Sequence, residues 1–198
     1  MGERLVFKVI KMEECIATLY YHWSGYTGSI YLEAANLAKW LRENGFTGEE
    51  SIEKTQEMLL HFVQQNGGGV GDRNTFNEFK KRGIDPMESG YSRNYGLLDI
   101  TDKGMRDAEH WGEHIEAFNL DDETFTNSEF TYMDPEEFDW VEHPEVIPKW
   151  EPDPRYVGTI NWDDAVDAMR WFDELPRYEG VLGIATEDGK YYYVVACE

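Results

Sequence analysis

Two apolar runs near the start of the chain, Leu5–Lys11 (LVFKVIK) and Cys15–His22 (CIATLYYH), decide the class of fold. Both runs are rich in β-branched and aromatic residues, and only the short turn Met12–Glu14 separates them. Runs of this length and composition that are divided by a turn are typical of a β-hairpin. The sequence therefore predicts that the chain begins with two antiparallel strands.

Helical patterns follow this hairpin. Between residues 30 and 45 the apolar side chains recur at every third or fourth position and end at an Asn-Gly stop signal. Thr47 and Glu50 have the spacing of a capping box, which predicts that a second helix begins there. Residues 162–172 have the clearest apolar helical face in the chain, and Asn161 is the expected N-cap of that helix.

Two further pairs of apolar runs predict two more hairpins. Ile115–Leu120 and Thr124–Phe130 alternate in polarity around an acidic turn, and Val181–Thr186 and Tyr191–Cys197 flank an Asp-Gly turn. The sequence thus predicts an α+β fold, with a mostly antiparallel sheet built from about three hairpins and with three to four helices. A single sheet with helices on one face and a two-sheet sandwich both agree with this pattern.

The acidic side chains are concentrated in one part of the chain. Residues 107–154 contain sixteen Asp and Glu and one basic side chain, Lys149, while the whole chain has a net charge of −22. Solubility requires a net charge of only about 2–8 for a small domain, and a larger surplus costs stability through self-repulsion. We interpret residues 1–198 as a single domain with an acidic, proline-containing elaboration at 107–155, whose charge serves a function.

Aromatic side chains alternate with these carboxylates, which favours an ordered surface that displays its acids as nucleic acid displays phosphates. Such a surface would bind a strongly basic partner. The residues that we predict to contact the partner are Asp121, Asp122, Glu123, Glu129, Asp134, Glu136, Glu137, Asp139, Trp140, Glu142 and Glu145. A solvated acidic linker and a cation-binding segment are the alternative interpretations of the same charge.

The first forty residues carry a resemblance to a known group of proteins. Met1-Gly2-Glu3-Arg4, a hairpin that ends in Leu19-Tyr20-Tyr21-His22-Trp23, and the following Gly25-Tyr26 resemble the openings of small proteins encoded by bacteriophages. No activity is assigned to those proteins. The resemblance implies a phage or prophage source, and it does not extend to the acidic middle of the chain.

The charge and the resemblance together predict a non-enzymatic inhibitor or decoy. It would present a DNA-like acidic face to a nucleic-acid-binding host defence protein, such as a restriction–modification complex or a CRISPR nuclease, and block it. We expect a basic protein partner, no cofactor and no direct contact with nucleic acid. A structural or interaction module of a phage complex is an alternative, and the sequence leaves the oligomeric state open.

One motif suggests an enzyme instead. The run His110-Trp111-Gly112-Glu113-His114 matches H-x-x-E-H, in which two histidines at helical spacing bind zinc and the glutamate acts as the base. The alternative function is therefore a metal-dependent hydrolase that uses His110, Glu113 and His114. This alternative ranks second, because Gly112 disfavours the required helix by about 1 kcal/mol relative to Ala.

Three smaller features of the sequence concern a glycine-rich segment, membrane insertion and the cysteines. Residues 67–71 (GGGVG) could cradle a phosphate, but no Lys-Ser/Thr follows them, so we interpret them as a flexible turn. No apolar run approaches the ~20 residues that a membrane-spanning helix needs. Cys15 and Cys197 are expected to be free thiols in a reducing compartment, which predicts a soluble protein of the cytosol, the host cytosol in the case of a phage protein.

Overall fold

The fold is that of a computed structural model, which describes residues 3–86, 96–127, 150–152, 156–172, 177–178, 181–185 and 191–195. In these residues the strands are β1 (Leu5–Lys11), β2 (Glu14–Tyr21), β3 (Gly69–Val70), β4 (Leu97–Asp99), β5 (His114–Asn119), β6 (Thr124–Asn127), β7 (Trp150–Pro152), β8 (Gly158–Asn161), β9 (Arg177–Tyr178), β10 (Val181–Ala185) and β11 (Tyr191–Val195). The helices are α1 (Thr27–Glu43), α2 (Ile52–Gln65), α3 (Arg73–Lys81), α4 (Asp102–Trp111) and α5 (Trp162–Phe172).

The strands form two sheets. The main sheet has seven strands in the order β3-β4-β2-β1-β5-β6-β8, and a second sheet has four strands in the order β7-β11-β10-β9. β1 lies at the centre of the main sheet, where it pairs antiparallel with β2 and parallel with β5. β3 with β4 and β7 with β11 are also parallel pairs.

The predicted fold class is therefore wrong in two respects. The main sheet is mixed rather than mostly antiparallel and built from about three hairpins, and five helices, not three to four, occur in the residues described. Alternation of apolar and polar residues shows which face of a strand is buried, but it does not show the direction of the neighbouring strand. A short turn reveals an antiparallel pair, whereas the partner of Leu5 in the parallel pair, His114, lies far along the chain.

One face of the main sheet carries most of the apolar core. Leu5, Phe7 and Val9 lie on this face, are fully buried, and belong to the same core cluster as buried residues of α1, α2, α3 and α5. The ring of Trp162, the first residue of α5, stacks on Phe118 of β5 with 4.9 Å between the centroids and an interplanar angle of 28°. Burying one such large apolar side chain stabilises the fold by about 1.5–3 kcal/mol.

The opposite face is covered by α4. Val6 of β1, Tyr20 of β2 and Leu97 of β4 form a second, smaller cluster there with Ala108 of α4. Helices thus lie on both faces of the main sheet. The space between α4 and the strands beneath it is only partly filled and forms a cleft.

The ends of two helices test the predicted caps. Asn161 caps α5 as predicted, since its Oδ1 accepts a hydrogen bond from the backbone N of Asp163 at 2.8 Å. α2 begins later than predicted, because its N-cap is Ser51, whose side chain accepts from the backbone N of Lys54 at 3.2 Å. Thr47 and Glu50 do bond to each other, but they stabilise the preceding loop rather than the helix.

None of the helices in the described residues is both long and apolar enough to cross a lipid bilayer. Cys15 is a half-buried free thiol, and burial is the main cause that raises its pKa. Cys197 lies outside the described residues.

Candidate functional site

Three of the predicted partner-binding residues, Asp121, Asp122 and Glu123, form the exposed turn between β5 and β6. Asn119 holds this turn, since its Oδ1 accepts from the backbone N of Asp121 at 2.9 Å and of Asp122 at 3.1 Å. The remaining predicted contacts fall outside the described residues: Glu129, Asp134, Glu136, Glu137, Asp139, Trp140, Glu142 and Glu145.

The turn lies beside other acidic residues that the sequence places far away. The backbone N of Glu13, in the β1–β2 turn, lies 3.5 Å from Asp121 Oδ2, and the backbone N of Trp162 donates to the carbonyl of Glu123 at 2.9 Å. These contacts bring three segments together at one end of the strands of the main sheet. We call this surface the acidic edge; its exposed carboxylates are Glu13, Glu14, Asp121, Asp122, Glu123, Asp163 and Asp164.

Basic side chains on the acidic edge are few. Arg42 of α1 binds both Glu123, at 3.0 Å, and Asp163. Elsewhere in the described part of residues 107–154, Glu109 pairs with Lys8, Glu113 with Arg4 and Asp107 with Lys103, while Glu116 is buried. Among residues 107–127, the acidic surplus is therefore concentrated at the β5–β6 turn. Sequence reasoning missed Glu13 and Glu14, because only the β1–β5 pairing brings the two turns together.

The H-x-x-E-H motif does not have the geometry of a metal site. α4 ends at Trp111, and Gly112 continues in an extended conformation, so that His110 and His114 lie on a helix and on a strand. His114 is buried with its Nε2 2.9 Å from Glu3 Oε2, and Glu113 binds Arg4. Within the described ranges, no group of three His, Cys, Asp or Glu is placed to hold a metal ion.

Gly112 marks the point where the helix that the H-x-x-E-H motif requires does not continue. A Cβ at this position would lie 2.7 Å from Val6 Cγ2, so the chain passes against β1 where no side chain fits. The metal-dependent hydrolase based on His110, Glu113 and His114 is therefore not supported by this arrangement.

A cleft of about 460 Å³ lies between α4, the strands β2 and β4, and the start of α3. Its walls combine acidic, aromatic and basic side chains. The residues that matter for its chemistry are Arg4, Tyr20, His22, Asp72, Asp99 and Trp111. Sequence reasoning assigned no role to Asp72 or Asp99.

Asp72 and Asp99 form a hydrogen-bonded carboxyl pair in this cleft. Asp72 is the N-cap of α3, and its Oδ1 accepts from the backbone N of Thr75 at 2.7 Å. Asp99 ends β4 and is buried, with Thr75 Oγ1 donating to its Oδ1 at 3.1 Å. Thr75 therefore joins the two carboxyls, one from each of two elements.

The two carboxyls have opposite pKa shifts. Burial, followed by the neighbouring charge of Asp72, raises the pKa of Asp99 from 3.8 to about 6. Partial burial acts to raise the pKa of Asp72 as well, but hydrogen bonds from Thr75, Asn74 and Asp99 outweigh it and hold that pKa below its ordinary value. Just below pH 6 the pair thus holds one proton, which lies on Asp99 while Asp72 stays ionised.

Two glycines make room for the buried carboxyl. A Cβ at Gly71 would lie 2.7 Å from Asp99 Cγ, and a Cβ at Gly104 would lie 2.7 Å from Asp99 Oδ1. The glycine-rich segment 67–71 is therefore not the flexible turn that we predicted, because Gly69–Val70 is strand β3 and Gly71 leads into α3. Its last residue, Gly71, packs against a carboxyl group of the protein itself rather than against a phosphate.

Aromatic side chains form the outer part of the cleft. Tyr20 and His22 are joined by a hydrogen bond of 2.9 Å between the Tyr hydroxyl and His22 Nδ1. Trp111, at the end of α4, is 58% exposed although it is a large apolar side chain.

Comparison of the chain with models of protein families, with curated proteins and with solved structures gave no match.

Proposed function

We propose that this protein is an acidic inhibitor or decoy that binds a basic, nucleic-acid-binding host protein through the acidic edge and the neighbouring acidic segment. The observation that carries this proposal is the unequal distribution of charge. The sequence of residues 128–149 alone contains seven carboxylates and one Lys, and the exposed β5–β6 turn adds three carboxylates.

The acidic edge supports the proposal because it assembles carboxylates from three separate segments on a folded support. Like charges that are held close together repel one another, and this repulsion costs folding stability. A rigid acidic surface accelerates the encounter with a basic protein, and it favours partners that carry the complementary charge. Met12, which is 70% exposed in the β1–β2 turn, adds an apolar contact beside Glu13 and Glu14.

The class of target follows from the same chemistry. A protein that binds nucleic acid displays a basic groove matched to about one negative charge per ~1.7 Å of duplex. Carboxylates on a folded surface compete for such a groove. The phage-like opening of the chain makes a host defence nuclease or restriction–modification complex the favoured target, and the host cytosol the favoured compartment. The activity is binding and blocking rather than catalysis.

Competition with DNA tests this function. The purified protein is immobilised and exposed to a bacterial lysate, and the captured proteins are eluted either with a short DNA duplex or with a neutral polymer of equal mass. We expect the duplex to release the partner at a far lower concentration than the polymer does. The partner should then bind duplex DNA on its own, with an affinity that the purified protein reduces.

Two outcomes would exclude the proposal. One is a captured partner that has a neutral or acidic binding surface and no affinity for nucleic acid. The other is a ternary complex in which DNA and this protein bind the partner together without competition. Either result would favour the alternative function as a structural or interaction module of a phage complex.

A further inference from the structure

We infer that Arg42 of α1 is a positioning residue that holds the carboxylates of the acidic edge in one fixed arrangement. Its guanidinium binds both Glu123, in the β5–β6 turn, and Asp163, in the first turn of α5. This role rests on the proposed function, because it concerns how the acidic edge is presented to a basic partner.

The guanidinium of Arg42 links three elements of the fold. Its Nη2 donates to Glu123 Oε2 at 3.0 Å, and its Nη1 donates to Asp163 Oδ1. The two carboxylates therefore bind different nitrogens of one planar group, which the single ammonium of a lysine does not provide. The guanidinium carbon also lies 5.9 Å from the centre of the buried Trp162 ring. Because aromatic faces attract cations, Trp162 restricts the positions that the guanidinium can take.

The β5–β6 turn is fixed to α5 through its backbone, but its carboxylates need a separate support. Glu123 has a φ of 50°, in the left-handed region that residues other than glycine rarely adopt. Its carbonyl accepts a hydrogen bond from the backbone N of Trp162 at 2.9 Å. That bond fixes the main chain and leaves the orientation of the Glu123 side chain open. The ion pair with Arg42 fixes the side chain as well.

Arg42 also supplies a counter-ion at the point where like charges meet. Glu123 and Asp163 bind the same guanidinium, so without it the two carboxylates would repel each other at short range. Their side chains are 49% and 70% exposed, whereas that of Arg42 is 31% exposed. The acids thus stay accessible to a partner, while the cation between them is better shielded. Hydrogen bonding to Asp163 is the main cause that raises the pKa of Arg42, so the guanidinium keeps its charge.

A positioning role and an effect of total charge have opposite consequences when Arg42 is removed. Arg42→Gln makes the protein more negative, so long-range attraction alone would strengthen the binding of a cation. Loss of the positioning contact lets Glu123 and Asp163 separate, which weakens the binding of a cation that needs both. Weaker binding by the more acidic protein is therefore the signature of a positioning residue.

An NMR titration of the full chain measures binding at this surface. The probe is a capped pentapeptide of alternating arginine and glycine, and its neutral counterpart has glutamine in place of arginine. Affinity is determined from the amide signals of Asp121 and Asp122, so that binding elsewhere on the acidic protein is recorded separately. We expect saturable shifts with the arginine peptide and none with the glutamine peptide. Arg42→Gln should weaken binding by about threefold, the size expected for contacts between partly exposed charges.

Two further variants separate position from charge. Lys39→Gln is the matched control, because Lys39 lies on the same helix, pairs only with Glu43 at 4.0 Å among the described ion pairs, and carries the same charge as Arg42. This control should bind the arginine peptide as tightly as the wild type or more tightly. Arg42→Lys should bind with intermediate affinity, because it returns a cation to the same place without the second donor nitrogen.

Three outcomes would overturn the positioning role. They are equal affinity of Arg42→Gln and Lys39→Gln for the arginine peptide, affinity of Arg42→Lys no higher than that of Arg42→Gln, and amide signals of the wild-type turn that do not shift with the arginine peptide. The decoy function is judged separately, by whether a DNA duplex releases the captured partner, so the two proposals can fail independently.

Discussion

Gly71 approaches the carboxyl group of Asp99 so closely that a Cβ at position 71 would lie 2.7 Å from Asp99 Cγ. Its backbone N also donates to the carbonyl of Leu98 at 2.9 Å, so the junction between β3 and α3 is fixed against the end of β4. The buried carboxyl thus leaves no room for a side chain at position 71.

Gly71→Ala should destabilise the protein by about 1–3 kcal/mol, as expected when a methyl group is forced into filled space. The free energy of unfolding in urea measures the effect. In an Asp99→Ala background the same change should cost much less, because the opposing carboxyl is gone. An equal cost in both backgrounds would mean that another contact excludes the methyl group.

The raised pKa of Asp99 predicts a specific dependence of stability on pH. The folded state holds the Asp99 proton up to about pH 6, whereas the unfolded chain releases it near 3.8. The contribution of Asp99 to the free energy of unfolding is therefore fully present below pH 3.8 and is lost as the pH rises through 6. The free energy lost is of order 1–3 kcal/mol. Asp99→Asn should remove this part of the dependence, which is measured as the difference between the two unfolding curves from pH 4 to pH 8. A difference between the two curves that stays constant from pH 4 to pH 8 would contradict protonation of Asp99 in the folded protein.

Glu33 of α1 should give a similar effect at higher pH. Burial raises the pKa of Glu33 to about 7, although Ser24 Oγ donates a hydrogen bond to its Oε1 at 3.0 Å. The folded state is therefore weakened as the pH rises through 7. Glu33→Gln should stabilise the protein at pH 8 and have little effect at pH 5, as followed by thermal unfolding at both values. A stabilisation that is equal at the two pH values would exclude titration of Glu33 as the cause.

The stacked pair of Trp162 and Phe118 predicts where the core is most sensitive. Trp162 is fully buried, so Trp162→Ala should cost about 3–5 kcal/mol. Met169, on the same helix, is only partly buried against the core. Met169→Ala should therefore cost only about 1–2 kcal/mol. Denaturant unfolding measures the loss of stability in each variant. A larger loss for Met169→Ala than for Trp162→Ala would mean that α5 packs in a different orientation.

Charge reversal tests the acidic edge. Glu13→Lys, Glu14→Lys, Asp121→Lys and Asp122→Lys together should slow association with the captured partner by at least tenfold at low salt, and the difference should shrink as salt screens charges beyond about 8–10 Å. The control variant reverses four acids near α2, α3 and α4: Glu53, Glu57, Asp85 and Asp102. It changes the net charge equally, so slower association of both variants would indicate an effect of total charge rather than of this surface.

A second set of carboxylates, in the acidic segment after β6, can be tested by the same measurement. Reversal of Glu136, Glu137, Asp139 and Glu142 to Lys should slow association at least as much as reversal of the edge. These four residues lie outside the described part of the chain, so the prediction rests on charge alone. Association rates measured by surface plasmon resonance on both quadruple variants would show which set dominates.

Local patterns were sufficient to locate several elements. The strands 5–11 and 14–21, the helix that Asn161 caps, and the turn at Asp121–Glu123 are all signalled by residues that are neighbours in sequence. The cleft was not predictable in this way. Asp72 follows a glycine as an ordinary helix cap, and nothing near it in the sequence indicates that Asp99 lies within hydrogen-bonding distance.

The sequence by itself determined several of the strands and helices, among them β1, β2 and α5, and where the negative charge is concentrated, because these properties depend on residues within a few positions of one another. Only the tertiary structure decided that β1 pairs in parallel with β5, that Asp72 meets Asp99, and that Glu13 lies beside Asp121. These contacts join distant segments, and a period of two residues along a strand fixes its buried face without specifying its neighbour.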